Sequence, residues 1–502
     1  MFKFSKIQSN ESGPFTNNAR LLNFDISGDM VMNPAQSFIQ LACHIETTTS
    51  QVHNMVLSST TEELNLENVG LIRNCWLMSS TKGKVEDIRR VNKYSVNMKE
   101  LRRGASEKNS SINSLYNARQ YDNGLIISSP FVEMYKEGSV SSVYREALLR
   151  IPLADLFFIG DLQALDISTM GHLTLHLEFE DFSYLSLRET KMFRVPPTAS
   201  ENLIQDTATA TDVIVTKFNT KLENLEQSPY FVGQNITLTY TTDGGSTTDN
   251  QDVRITAIKF NPPTDSSVLL SGSLELTVSA TVPIATSITV SEQTNPDATA
   301  RVVFDRADIV VCQIMAPQKQ LLKEINYMTL ETEEYTVNSD TLSKIFELPS
   351  NCINAYLMFD NNDSNLISSN SKVTSYRMRL DNVDVYPYDI TTNTRGSSSL
   401  AGVVFQDNLH VDGLNRTMLN SGYVLKNTSL VAMARTSPSP FTNLTMAQRF
   451  ANEKLQILVL GAPTPLSASP KLLQFTLRTV DATQTNIKTV IVYKMVLKTL
   501  ML

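Results

Sequence analysis

Residues that most often carry chemistry are scarce in this sequence: five histidines, four cysteines and one tryptophan are spread over 502 positions. Cys43, Cys75, Cys312 and Cys352 show no C-x-x-C spacing and sit in apolar surroundings such as Ile309-Val310-Val311-Cys312. Buried free thiols are expected there, not disulfides or metal ligands. No G-x-S-x-G, no Walker-type glycine loop, no G-x-G-x-x-G after a strand and no H-E-x-x-H occurs, and Gly244-Gly245 has no lysine behind it. No catalytic, cofactor-binding or metal-binding residue is therefore assigned. β-Sandwich enzymes do assemble sites from scattered residues, so the lack of motifs lowers the expectation of catalysis without removing it.

An excess of positive charge is missing too. A net charge of -8 excludes a surface devoted to nucleic-acid phosphate, which needs clustered Lys and Arg. One stretch departs from this. Between Lys82 and Lys108 lie Lys84, Arg89, Arg90, Lys93, Lys99, Arg102 and Arg103, against Glu86, Asp87, Glu100 and Glu107. It reads either as a solvated helix face or as a face turned to a polyanion.

Long apolar runs are absent. Val490 to Leu502 is broken by Lys494 and Lys498 and falls short of the ~20 residues of a spanning helix, so no transmembrane segment is expected. Met1-Phe2-Lys3-Phe4-Ser5-Lys6 lacks the apolar core of a signal peptide, which predicts synthesis in a reducing cytosol. The N-x-S/T triplets, at Asn235 and Asn415 for example, are expected by chance in a chain so rich in Asn, Ser and Thr.

What the chain does have is period-two alternation. Ile236 to Tyr240, Leu274 to Val278, Tyr376 to Leu380 and Leu473 to Arg478 place every second apolar side chain on one face, the pattern of half-buried strands. Turn residues separate them, as at Asp243-Gly244-Gly245 and Asn261-Pro262-Pro263. Further strands are expected at Ala19 to Ile26, Ser37 to Ile45, Leu71 to Met78, Gly124 to Ser128 and His172 to Phe179. Helix is the minority element. Val85, Ile88, Val91, Tyr94, Met98 and Leu101 recur every three or four residues, as in one amphipathic helix. Thr445-Met446-Ala447-Gln448 has capping-box spacing for a second helix, Met446 to Gln456. The C-terminal run alternates Ile491, Tyr493, Met495 and Leu497, expected to face the core of the second domain, with Val492, Lys494, Val496 and Lys498, the lysines pointing away from that core.

Sandwiches commonly run to roughly 200 to 250 residues, so this length suggests two domains. The small, polar stretch after Val195-Pro196-Pro197, through Asp206-Thr207-Ala208-Thr209-Ala210, is the expected boundary. It divides the chain into 1–204 and 205–502, the latter with a long loop insertion at about 391–469.

Possible sites are few. His172 and His176 would pair on a helix, but the alternation of Leu173, Leu175, Leu177 and Phe179 makes a strand, with the histidines about 13 Å apart and unable to share a metal. Glu178 and Glu180, roughly 6 to 7 Å apart on that face, have the spacing of an acid/base pair, though alternating charges on an exposed strand are commoner. Trp76 beside Cys75 is expected to plug the core.

One segment adds a likeness. Ile151-Pro152-Leu153, Phe157-Phe158, Ala164-Leu165-Asp166-Ile167 and Gly171-His172-Leu173-Thr174-Leu175-His176-Leu177 follow in an order that resembles the end of the first jelly roll in double jelly-roll major capsid proteins. Those proteins build the shells of polinton-like viruses, virophages and nucleocytoplasmic large DNA viruses. Ala154 and Asp166 stand where many relatives carry proline. Phe346-Glu347-Leu348-Pro349-Ser350, the run from Ile353 to Phe359, and Arg377-Met378-Arg379-Leu380-Asp381-Asn382 resemble the L-P step, buried strand and R-x-R-L-D-N order of the polinton-like and virophage proteins. Two ordinary strands of any sandwich would read the same way.

The resemblance implies an all-β fold of two tandem eight-stranded jelly rolls, with a few short helices in loops. It further implies homotrimers of pseudo-hexagonal outline that tile an icosahedral shell, with neighbouring capsomers and minor capsid and penton proteins as partners. No cofactor is implied. The protein would reside in the virion after synthesis in the host cytoplasm or a viral factory, and contact with the genome stays open. The alternatives are a minor capsid or spike protein of a similar virus, a carbohydrate-binding β-sandwich protein, for which a missing signal peptide is the contrary feature, and an enzyme.

Overall fold

The computed structural model describes residues 2–46, 53–59, 68–102, 118–120, 126–128, 134–136, 144–145, 147–182, 185–189, 203–205, 211–217, 230, 235–242, 248–261, 273–283, 285–292, 301–315, 324–337, 341–360, 373–391, 408–424, 459–464, 467–479 and 489–501. It is built mainly of antiparallel strands. Alternation works as physics demands: along His172–Phe179, Leu173, Leu175, Leu177 and Phe179 are buried while the residues between them are half-exposed.

The first sandwich has eight main strands: Phe2–Gln8, Leu21–Ser27, Phe38–Glu46, Ile72–Ser79, Gly83–Ile88, Ala147–Pro152, His172–Phe179 and Arg301–Ile314. Counted in chain order, one sheet runs 1-8-3-6 and the other 2-7-4-5. The second sandwich has Glu324–Thr336, Thr341–Leu348, Cys352–Asp360, Val373–Leu380, Val383–Asp384, Val459–Pro463, Lys471–Thr479 and Thr489–Met501. Its sheets are again 1-8-3-6 and 2-7-4-5.

Every pairing joins an odd strand to an even one, so odd strands run one way and even strands the other. Connections 1–2, 3–4, 5–6 and 7–8 therefore gather at one end of each sandwich, and 2–3, 4–5 and 6–7 at the opposite end. Nearly all the extra chain is at the first end. There the first sandwich carries 47–71, 89–146 and 180–300, whereas its opposite turns are only 28–37, 80–82 and 153–171. Strands from all three long connections, His53–Ser59, Met134–Lys136, Tyr144–Arg145 and Leu185–Glu189, combine in a separate small sheet. The 7–8 connection also holds a closed six-stranded barrel, Leu203–Gln205, Thr211–Lys217, Asn235–Thr242, Thr248–Asn261, Ser273–Val282 and Ala285–Glu292.

Three apolar cores follow. Ile214, Leu238, Ile255 and Leu276 fill the barrel. Phe346, Leu357, Phe475, Val490 and Val492 fill the second sandwich. Phe24, Ile39 and Leu175 fill the first, and that core continues through helix Val91–Arg102 to Tyr356, Ile491, Tyr493 and Met495 on the outside of the second sandwich. Helix Asn408–Asn420 covers more of that outer face. Gly461 makes its approach possible, since a Cβ there would lie 2.4 Å from Thr417 Oγ1 and 3.0 Å from Leu414 Cα.

Several expectations change. Arg301–Ile314 is the eighth strand of the first sandwich, so that unit closes at Ile314 and not at 204/205. The composition shift after Pro197 instead marks entry into the barrel. Val459–Pro463, inside the expected 391–469 insertion, is a sandwich strand, and the insertion is the 5–6 connection, 385–458. The expected helix over Val85 to Leu101 is a strand, Gly83–Ile88, followed by a helix, Val91–Arg102; Arg90 at φ 52° breaks the two apart. Ile491, Tyr493 and Met495 face the first sandwich, and it is Val490 and Val492 that enter the second sandwich's own core. The helix Met446 to Gln456 lies outside the described residues.

Candidate assembly surfaces

The most heavily built surface joins the two sandwiches. The Tyr94 ring lies 5.2 Å from Tyr493, 6.2 Å from Tyr356 and 6.0 Å from Phe158, centroid to centroid. Aromatic rings in this range add attraction beyond their burial. Two phenols bond across the joint: Tyr493 Oη donates to the Arg90 carbonyl at 2.8 Å and Tyr327 Oη to the Val85 carbonyl at 2.9 Å. Burial pushes both phenols well above their usual range. Ion pairs rim it. Arg90 reaches Glu334 at 3.6 Å and Asp360 at 3.7 Å, and Lys93 reaches Asp360 at 3.3 Å. The Arg102 guanidinium sits 3.9 Å above the Tyr423 ring.

Glu86 is enclosed in this joint. Its carboxylate accepts from the Ile159 amide at 2.8 Å, the Phe158 amide at 3.0 Å and Thr329 Oγ1 at 3.4 Å. Burial outweighs these donors and lifts its pKa to about 7.

The outer face of the first 2-7-4-5 sheet holds the histidines. His172 Nε2 pairs with Asp25 Oδ1 at 3.0 Å, while His176 contacts Asn23 and stacks on Trp76 at 5.1 Å. Burial lowers the His176 pKa. Hydrogen bonds, first from Asn10, hold Asp25 below the usual carboxylate range. Trp76 is thus not a core plug: in its strand Cys75 and Leu77 turn inward and Trp76 outward. Glu178 and Glu180 do not act together either. A register shift follows Glu178, which takes Asn74 and Arg20, while Glu180 turns inward to Asn92 and Arg73. Cys43, Cys75, Cys312 and Cys352 are buried free thiols, as expected. Among the described residues, no three His, Cys, Asp or Glu side chains are grouped to hold a metal ion.

On the second sandwich, the quoted R-x-R-L-D-N order builds a clamp. Asp381 and Asn382, at φ 49° and 66°, form a two-residue hairpin turn of the kind that needs positive φ at both positions. That turn sets Asp384 opposite Arg379. Arg377 grips Asp384 through Nε at 2.9 Å and Nη2 at 2.7 Å, and Arg379 Nε adds a bond at 2.8 Å. These bonds, Arg377 first, hold the carboxyl far below its ordinary range. Asp384 was missed in the sequence, where an acid two residues past a D-N turn and an R-x-R pair before it were the available signal.

The strand order 1-8-3-6 facing 2-7-4-5, met in both sandwiches, is that of the jelly roll. The chain is a double jelly roll. It matches no protein-family model and no curated protein. Solved structures similar to it include the Faustovirus major capsid protein, at 9% identity and TM-score 0.44, covering 100% of this chain and 90% of that one. A chain of the Sputnik virophage is similar at 10% identity and TM-score 0.42, covering 99% and 86%, and the mavirus major capsid protein at 10% and 0.37, covering 99% and 86%. The strand order, not these likenesses, carries the assignment of this double jelly roll.

Proposed function

We propose that this double jelly roll is the major capsid protein of an icosahedral DNA virus, acting by assembly and not by catalysis. The observation that carries the reading is the repetition of one strand order in two rolls locked side by side by the Tyr94–Tyr493 joint. Two equivalent rolls per chain let three chains present six equivalent sides. A closed ring of three then buries the ~2,000 to 5,000 Å² typical of obligate partners and leaves outer sides for weaker contacts between capsomers. The I-P-L, aromatic-pair and His-led alternation of the first roll supports the viral assignment, now in the sixth strand, the following turn and the seventh strand.

The rolls stand upright with their long connections outward. Residues 203–292, the barrel segment, hold ten acidic and four basic residues, so this one insertion accounts for -6 of the chain's -8. Such a body is repelled by an enclosed polyanion and points away from it. Further partners are neighbouring capsomers and minor capsid and penton proteins, and the site of action is the virion shell. Electron microscopy of the purified protein tests this. Three-chain particles of pseudo-hexagonal outline, or shells made of them, support the reading, and dispersed single chains under all assembly conditions refute it.

A further inference from the structure

Part of the joint is a seam between two sheet edges. Glu324–Thr336 is an edge of the second roll's 1-8-3-6 sheet, and Gly83–Ile88 is an edge of the first roll's 2-7-4-5 sheet. They run side by side in the same direction: Tyr327 bonds Val85, Thr329 bonds Glu86 and Thr332 Oγ1 bonds the Arg89 carbonyl at 3.4 Å. Among the described residues no backbone ladder joins these edges. Side chains hold them, and a cleft of about 380 Å³ lies between them. Lys84, Asp87 and Arg89 line it from the first roll, and Glu331, Thr332 and Lys498 from the second.

Glu86 sits in the middle of this seam at 1% exposure. Its neighbours in the strand, Val85 and Asp87, line the cleft, so a small separation of the edges brings water to the carboxyl. Charged and titratable groups face it from every element packed around it, yet among the described residues none forms an ion pair with it. On its own strand, Lys84 is held by Asp87 at 2.6 Å. On the last strand, Lys498 is held by Glu331 at 3.3 Å and acts on Glu86 only through space. The fourth strand brings the Cys75 thiol and the second roll's first strand the Tyr327 phenol; burial holds both protonated, and neither supplies positive charge. The 6–7 turn brings the Phe158 and Ile159 amides, while its Asp161 interacts with Arg102 and Asp155. Neutral donors therefore stand where a buried carboxylate needs a cation.

We propose that Glu86 makes this seam a proton-operated clasp: it closes around the neutral carboxyl and parts along the cleft, with the Tyr94–Tyr493 contact as its hinge, when the carboxyl ionises in water. In the closed seam burial keeps the proton in place up to about pH 7, and in the parted seam water restores the ordinary value of 4.5. Closure is thus favoured most below pH 4.5, weakens by about tenfold per pH unit on the way to 7, and weakens no further above it. The clasp works within one chain and stands apart from the trimer reading.

Hydrogen exchange of the full chain, followed by mass spectrometry at pH 5 and pH 7.5 with times scaled for the intrinsic pH dependence of amide exchange, tests the clasp. Peptides spanning 83–89 and 324–332 are expected to open at least about tenfold more at the higher pH. Those spanning His172–Phe179 and Lys471–Thr479, in the cores of the two rolls, are expected to keep their protection. Glu86→Gln, which cannot ionise, is expected to abolish the difference; if it does not fold, Glu86→Met takes its place. A pH effect of the same size in the substituted chain overturns the clasp, as does equal protection of the seam at the two pH values. Exchange that rises together in the seam and in both cores overturns it too, because Glu86 would then act on the whole chain and not on a local opening.

Discussion

Tyr493, in the last strand, and Tyr94, in the helix after the fifth strand, hold the two rolls together from opposite ends of the sequence. Their rings are 5.2 Å apart, and the Tyr493 phenol ties the Arg90 carbonyl at 2.8 Å. Truncation to Ala should leave a large cavity in the joint. Tyr493→Ala is expected to cost about 3 to 5 kcal/mol, as for other large aromatic truncations, and Tyr493→Phe only about 1 kcal/mol for the lost hydrogen bond. Urea unfolding followed by circular dichroism measures both. Equal losses for the two variants would show that the ring packing contributes little.

Lys494 and Lys498 occupy the same strand but differ in surroundings. Lys494 is buried, with its ammonium on the Glu333 carboxylate and the Glu347 carbonyl, whereas Lys498 meets Glu331 at 3.3 Å in a pair about two-fifths exposed on each side. Lys494→Gln should leave Glu333 without its cation and cost about 1 to 3 kcal/mol. Lys498→Gln should change stability by less than about 0.5 kcal/mol. The two midpoints in urea decide it; identical midpoints would contradict the assignment.

These lysines also show where the sequence misleads. Period two located the last strand, but alternation implies one wet face, and here both faces are covered: Val492 lies in the second roll and Tyr493 against the first. A strand buried on both faces reads as a nearly continuous apolar run, which Val490 to Val496 is apart from Lys494. His172–Phe179 was legible because its outer face is half-exposed. The spacing of Val85, Ile88, Val91 and Tyr94 imitated a helix because Val85 and Ile88 are buried in a short strand and a left-handed Arg90 then starts a helix in similar phase. The inserted barrel was invisible as a domain. Its strands alternate like any others, and only the pairing of Arg301–Ile314 with Phe38–Glu46 shows that the first roll resumes after it. The joint was equally hidden, since Tyr94, Tyr356 and Tyr493 are brought together only by the packing of the two rolls.

Glu86 makes stability depend on pH. Its pKa rises from 4.5 in the unfolded chain to about 7 in the fold, so the folded state holds its proton more tightly. That contribution is fully present below pH 4.5 and is lost as pH rises through 7. It amounts to about 3 kcal/mol at most, at 1.36 kcal/mol per unit. Glu86→Gln should flatten the fall in stability between pH 5 and 8, read from urea midpoints across that range. An unchanged slope would place the dependence elsewhere.

The Asp381-Asn382 turn needs left-handed backbone at both residues. Asn382→Val should cost about 1 to 2 kcal/mol, because a β-branched side chain resists that conformation, while Asn382→Gly should be neutral or slightly stabilising. Thermal midpoints of the two variants give the comparison. A tolerated valine would mean that the turn relaxes.

The mass of the native particle tests the account most directly. Light scattering at micromolar concentration should find three chains of 55.9 kDa in a single species that persists on dilution. A stable species of one 55.9 kDa chain would contradict the assignment of this double jelly roll as a shell-building protein.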